Sequence, residues 1–76
     1  MNDRIIVDQN ILAGKPVIKG TRIPVTLIVN LMAHGYNANR IIEAYPVLKT
    51  EDIQAALIYT EQRLNREEIH PLLQKS

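Results

Sequence analysis

Apolar residues come in short bursts at the start of this chain and in spaced rows after residue 24. Ile5, Ile6 and Val7 form a brief β-prone run, closed by the turn-forming series Asp8, Gln9 and Asn10. Ile11 and Leu12 come next, then Ala13 and Gly14. Residues 16–19 read as a second short extended piece that stops at Gly20. Two strands this short do not stand alone in water. They must pack on helices or pair with a second subunit, and the pattern leaves open which.

The period changes at Pro24. Val25, Ile28, Val29 and Met32 recur at i, i+3, i+4 and i+7, one face of a helix, widened by Leu27 and Leu31. Proline suits the first turn of a helix, so this helix starts at Pro24 or Val25. Gly35, after His34, caps its end. A second, short helix spans residues 38–45, with Asn37 as N-cap. Its core residues are Ile41, Ile42 and Tyr45, and Pro46 stops it. The third helix is the longest, at residues 51–66. Thr50 caps it, Glu51 and Asp52 suit its positive end, and Ile53, Ala56, Leu57, Thr60 and Leu64 keep helical spacing. His70 and Pro71 interrupt any continuation of that helix.

These elements predict one mainly α domain: a tri-helical, homeodomain-like helix-turn-helix with a short N-terminal β element. Residues 1–23 form the β element and turn, residues 24–66 the three-helix core, and residues 67–76 a C-terminal tail. The order of helix, short helix after a glycine turn, then longer helix is that of tri-helical DNA-binding domains. Many unrelated three-helix bundles share it.

Composition narrows the class further. A 76-residue chain buries roughly 60% of the surface it exposes when unfolded, which leaves stability marginal. There is no cysteine, hence no disulfide and no thiolate metal site. His34 and His70 lie far apart with no ligand spacing, so no cofactor or metal is expected. The remaining aid to a small domain is oligomerisation, and a homodimer is expected. No apolar stretch is long enough to span a bilayer, and the opening Met-Asn-Asp-Arg lacks the apolar region of a signal peptide. A cytoplasmic protein without membrane contact is expected. Net charge is +1, but it is unevenly spread. Residues 9–49 hold five cations against one anion, whereas residues 50–76 hold three cations against five anions. A basic front and acidic back suit DNA at one end and a basic protein at the other.

The richest stretch is residues 14–25, Gly-Lys-Pro-Val-Ile-Lys-Gly-Thr-Arg-Ile-Pro-Val. Two glycines and two prolines shape it, and three cations decorate it. This segment resembles the signature of the bacterial domain-of-unknown-function family 433. The resemblance continues through His34-Gly35, Ile41-Ile42, Tyr45-Pro46 and the run from Thr50 to Leu57. It implies a homeodomain-like helix-turn-helix fold. It also implies a VapB-type antitoxin whose partner is a toxin with a PIN-like nuclease fold, and which often represses its own operon. The family brings no catalytic residues.

Lys15, Lys19 and Arg22 are the first candidates for DNA contact, because cations neutralise phosphates and arginine can also pair with guanine. Arg22 could equally hold the fold through carbonyls or Asp8. Thr21 can bond a phosphate or tie the turn after Gly20. Asn37, Asn39 and Arg40 open the second helix, where a phosphate would offset the unfavourable placing of a cation. Lys49 precedes the third. Glu51 and Asp52 are a difficulty for DNA reading by that third helix, since carboxylates repel phosphates. Tyr36, Tyr45 and Tyr59 read as core packing rather than base stacking.

Glu61, Leu64, Glu68, Ile69, Leu72 and Leu73 are candidates for toxin binding or dimerisation. Their spaced apolar anchors suit helix-in-groove recognition, and their acids suit a basic partner surface. The leading expectation is therefore a type II antitoxin that binds a cognate PIN-like toxin and its own operator DNA. A stand-alone helix-turn-helix regulator and a protein-only adaptor are the alternatives. No enzyme is expected, because no nucleophile–base pair, paired carboxylates or phosphate-cradling loop can be assembled.

Overall fold

Proline and glycine punctuation divides the chain much as the sequence indicates. The structure, a computed structural model, describes residues 3–65. Strand β1 is Ile5–Ile6 and strand β2 is Val17–Ile18. They pair antiparallel within the one chain, Ile5 opposite Ile18 and Ile6 opposite Val17. Both are shorter than the expected runs. Between them residues 12–14 make a single tight turn in which Leu12, Ala13 and Gly14 all have positive φ.

After β2 the chain reverses at once. The Thr21 N–H donates to the Ile18 carbonyl at 3.0 Å, and Gly20 has φ 81°. This is a type II turn, whose third residue needs the positive φ that glycine adopts freely. The reversed strand returns along β2. Ile18 N–H donates to the Ile23 carbonyl, Val25 N–H donates to the Pro16 carbonyl (both 2.9 Å), and Pro24 bridges Val17.

That last residue pair leads into helix α1, Val25–Ala33, with Pro24 as N-cap. The bond from Val25 to Pro16 satisfies one of the orphan N–H groups of the helix start, so the hairpin and α1 are joined by main chain. At the other end Tyr36 N–H reaches the Leu31 carbonyl and Gly35 N–H the Met32 carbonyl, both at 3.1 Å. This is a Schellman cap. Helix α2, Ala38–Ala44, starts at Asn37, whose Oδ1 accepts from the Arg40 N–H at 2.9 Å. Helix α3 is Thr50–Leu64, and residue 66, where the expected helix ends, lies outside the described residues.

Its cap differs from the expectation. Lys49, not Thr50, is the N-cap, and Thr50 is already helical. Asp52 reaches back, its Oδ2 accepting from the Lys49 N–H at 2.9 Å. An ammonium has no acceptor to offer in return; the Asp52 N–H instead donates to the Lys49 carbonyl.

The core lies where the three helices meet the hairpin. Ile18, Val25, Ile28, Ile41, Leu48, Ile53 and Ala56 form it, flanked by Ile5, Ile23, Met32, Tyr45 and Tyr59. Val17 and Ile18 are both buried, although neighbours on a strand point to opposite faces; β2 is therefore covered on both sides. The architecture is mainly helical, three helices with a small antiparallel β element, as expected. The apolar row on α3 is not. Asp52, Ile53, Ala55 and Ala56 are its buried residues, while Leu57 and Leu64 are exposed. At 100° per residue, Leu57 falls on the flank of α3, away from the stripe that Ala56 and Tyr59 define. Among the described residues no helix is long and apolar enough to cross a membrane.

Candidate interaction site

The hairpin of residues 15–25 presents its charges outward. Its apolar residues are drawn in: Val17, Ile18 and Val25 are buried and Ile23 is partly so. Its three cations are left out. Lys15, Lys19 and Arg22 are all exposed, and none has a side-chain hydrogen-bond or ion-pair partner among the described residues. Arg22 is thus not held by Asp8, whose carboxylate instead accepts from the Asn10 N–H at 2.8 Å. Thr21 works for the turn itself. Its hydroxyl donates to the Ile18 carbonyl at 2.8 Å and accepts from the Ile23 N–H at 3.0 Å. A side chain bound at both ends within its own hairpin fixes the positions of Lys19 and Arg22 on either side.

The candidates around α2 are engaged locally. Asn37 caps the helix. Arg40 lies over the Tyr36 ring, 5.1 Å from its centre, a cation–π arrangement. Asn39 is exposed on the first turn and Lys49 is exposed at the start of α3. These residues do not share one surface element with the hairpin cations.

The two acids that open α3 have different fates. Asp52 is only 6% exposed. Besides capping Lys49 it takes a 2.9 Å ion pair from Arg4, 48 residues away in sequence. Glu51 faces solvent. The outward stripe of α3 then runs Glu51, Gln54, Ile58, Glu61 and Gln62, all exposed. It holds two carboxylates and no cation. Leu57, Ile58 and Leu64 are exposed by 38%, 49% and 47%. Leu64 also lines an open groove of about 370 Å³ with Val7, Pro16, Val25 and Tyr59. Arg63 lies over the Tyr59 ring at its edge, 5.8 Å from the centre.

Of the candidate partner residues, Glu61 thus stands on the outward stripe of α3 and Leu64 at the groove beside it. Glu68, Ile69, Leu72 and Leu73 lie outside the described residues. Sequence reasoning includes Ile58 only as the start of the candidate partner segment, residues 58–73, and misses Val7, which it assigns to a strand. Among the described residues every buried side-chain polar atom has a partner, and no three His, Asp or Glu residues are placed to hold a metal ion.

The family model "Protein of unknown function (DUF433)" matches residues 5–60. This chain belongs to the DUF433 family. A DUF433 member from Anabaena variabilis, solved by crystallography at 2.00 Å, superposes with a TM-score of 0.76 at 32% identity, over 86% of this chain and 67% of that one. The uncharacterized protein y4eO of Sinorhizobium fredii is 44% identical over 52 residues, which make up 68% of this chain. An uncharacterized protein of Archaeoglobus fulgidus is 55% identical over 29 residues, 38% of this chain and 81% of its own length. This chain spans about a quarter (24%) of the length of the Sinorhizobium relative. The DUF433 match includes both the hairpin and most of α3.

Proposed function

We propose that this DUF433 chain is the antitoxin of a type II toxin–antitoxin pair, a binding module that neutralises a PIN-like nuclease toxin and binds its own operator. The observation that carries the partner half of this reading is the outward face of α3. Ile58 is exposed there beside Glu61, and Leu57 and Leu64 are exposed on its flank. Soluble domains expose single apolar residues routinely, but grouped ones mark interaction sites. Aliphatic residues on one helix, with the Glu61 carboxylate among them, suit a groove on a basic protein. A nuclease that handles nucleic acid offers such a surface.

The test is co-expression of the tagged protein with the product of the adjacent gene. A stable complex in which the nuclease is silent supports the reading. The variant Ile58→Glu, at an exposed position, should fold normally and lose that complex. If the wild type captures no neighbouring gene product, the antitoxin reading fails. A protein-only adaptor is the second reading. It is favoured by the lack of any cation on the outward stripe of α3, the helix that would read bases in a homeodomain-like arrangement.

A further inference from the structure

The charges of this domain are sorted by element in a way its helix order does not foretell. In a helix-turn-helix domain the last helix ordinarily enters the major groove with its first residues at the base edges. Here that helix turns Glu51 outward at its start and Glu61 two to three turns later. Both would approach phosphates of their own sign. Asp52 is turned inward, its carboxylate taken by the Lys49 N–H and the Arg4 guanidinium. The hairpin has the opposite character, three exposed cations and no anion over residues 15–25.

We propose that this protein contacts duplex DNA through the hairpin of residues 15–25 and not through α3, with Lys15, Lys19 and Arg22 as phosphate ligands. The inference rests on the DNA-binding part of the function proposed above and names the surface that performs it. Three features fit it. The hairpin is rigid before any ligand arrives: main-chain bonds at Ile18–Ile23 and Pro16–Val25 lock its arms, and the Thr21 hydroxyl locks its tip. Its cations need no release from ion pairs among the described residues. Their spacing suits a sugar–phosphate strand, since Lys15 and Lys19 are four residues apart on an extended arm, about 13 Å at ~3.3 Å per residue. Lys19 and Arg22 flank the tip together. Contacts of this kind position a protein on the duplex without reading sequence.

The measurement is fluorescence anisotropy of two labelled 30-base-pair duplexes, one from the region upstream of the gene and one of scrambled sequence, across ~50–200 mM salt. Each phosphate neutralised adds about 0.9 to the slope of log affinity against log salt. Three contacts contribute about 2.7, or roughly 40-fold across that salt range. The triple variant Lys15→Ala, Lys19→Ala, Arg22→Ala should lose that increment on both duplexes while keeping the wild-type melting temperature. Glu51→Gln and Glu61→Gln should leave the slope unchanged. If the wild type binds and the triple variant binds with the same slope, the hairpin assignment is wrong and the DNA-binding function stands. A marked gain in affinity from Glu51→Gln would likewise move the contact to α3. If the wild type binds neither duplex at the lowest salt, the DNA-binding reading itself falls and the inference with it.

Discussion

Replacing Asp52 with alanine removes two things at once: the cap on α3, which is the acceptor for the Lys49 N–H, and the partner of Arg4. The cap is worth ~1 kcal/mol, by analogy with other N-terminal carboxylate caps. The ion pair adds less than a buried one would. The Arg4 side chain is 44% exposed, so solvent screens it to about 0.2–1 kcal/mol. Leaving the Lys49 N–H without its acceptor is counted within the cap. The sum is about 1.2–2 kcal/mol. A domain of this length holds roughly 4–11 kcal/mol in total, so the loss is a sizeable share. It corresponds to a fall in melting temperature of roughly 5–16 °C. Thermal unfolding followed by far-ultraviolet circular dichroism measures it directly. A double-mutant cycle with Arg4→Ala separates the parts. The single Arg4→Ala change should cost less than about 1 kcal/mol, and in the Asp52→Ala background it should cost nothing further. The reasoning is refuted if Asp52→Ala melts within a degree or two of wild type, or if the two substitutions are strictly additive.

Three further outcomes rest on the same structure. Asn37→Ala should lower stability by ~1 kcal/mol, since it deletes the side-chain acceptor of α2; urea denaturation detects this as a lower midpoint at constant slope. Ile41→Ala, at a fully buried site, should cost about 2–5 kcal/mol through lost burial and the cavity left behind, and calorimetry at neutral pH is the check. Gly20→Ala should cost ~1–2 kcal/mol: an added Cβ meets nothing within 4 Å, so the penalty is that of φ 81° alone. A wild-type melting curve for that variant would show that the turn relaxes.

Most of the helical frame was legible in the sequence because its punctuation is local. Pro24, Gly35, Asn37 and Pro46 act on the few residues beside them, and each sits at the boundary it announces. What was not legible depends on residues far apart. Glu51 and Asp52 look alike in sequence. One points to solvent and the other inward, because a helix turns 100° per residue and Arg4 waits on one side only. Val47 and Leu48 are adjacent aliphatic residues in a loop, yet the first is 60% exposed and the second 2%. Leu57 and Leu64 share helical spacing with Ile53 but fall outside the arc the core covers. The same rotation decides the candidate interaction face, so the sequence marks the segment from Ile58 onward but not that Ile58 and Leu64 fall on different sides of α3. The hairpin cations were legible as residue types. Their freedom from Asp8 was not, since only the folded turn shows where each carbonyl, carboxylate and hydroxyl is used.

The turn at residues 12–14 carries a consequence of handedness. Leu12 and Ala13 hold φ of 49° and 57°, the mirror region of an ordinary helix. An L-residue there is strained by roughly 1–2 kcal/mol. For a D-residue the same backbone is the relaxed one. Chemical synthesis of this chain with D-alanine at position 13 should therefore raise its melting temperature, whereas the same inversion at Ala56, inside α3, should lower it. One inverted centre would thus be stabilising at one position and destabilising at another, with the side chain, formula and charge unchanged.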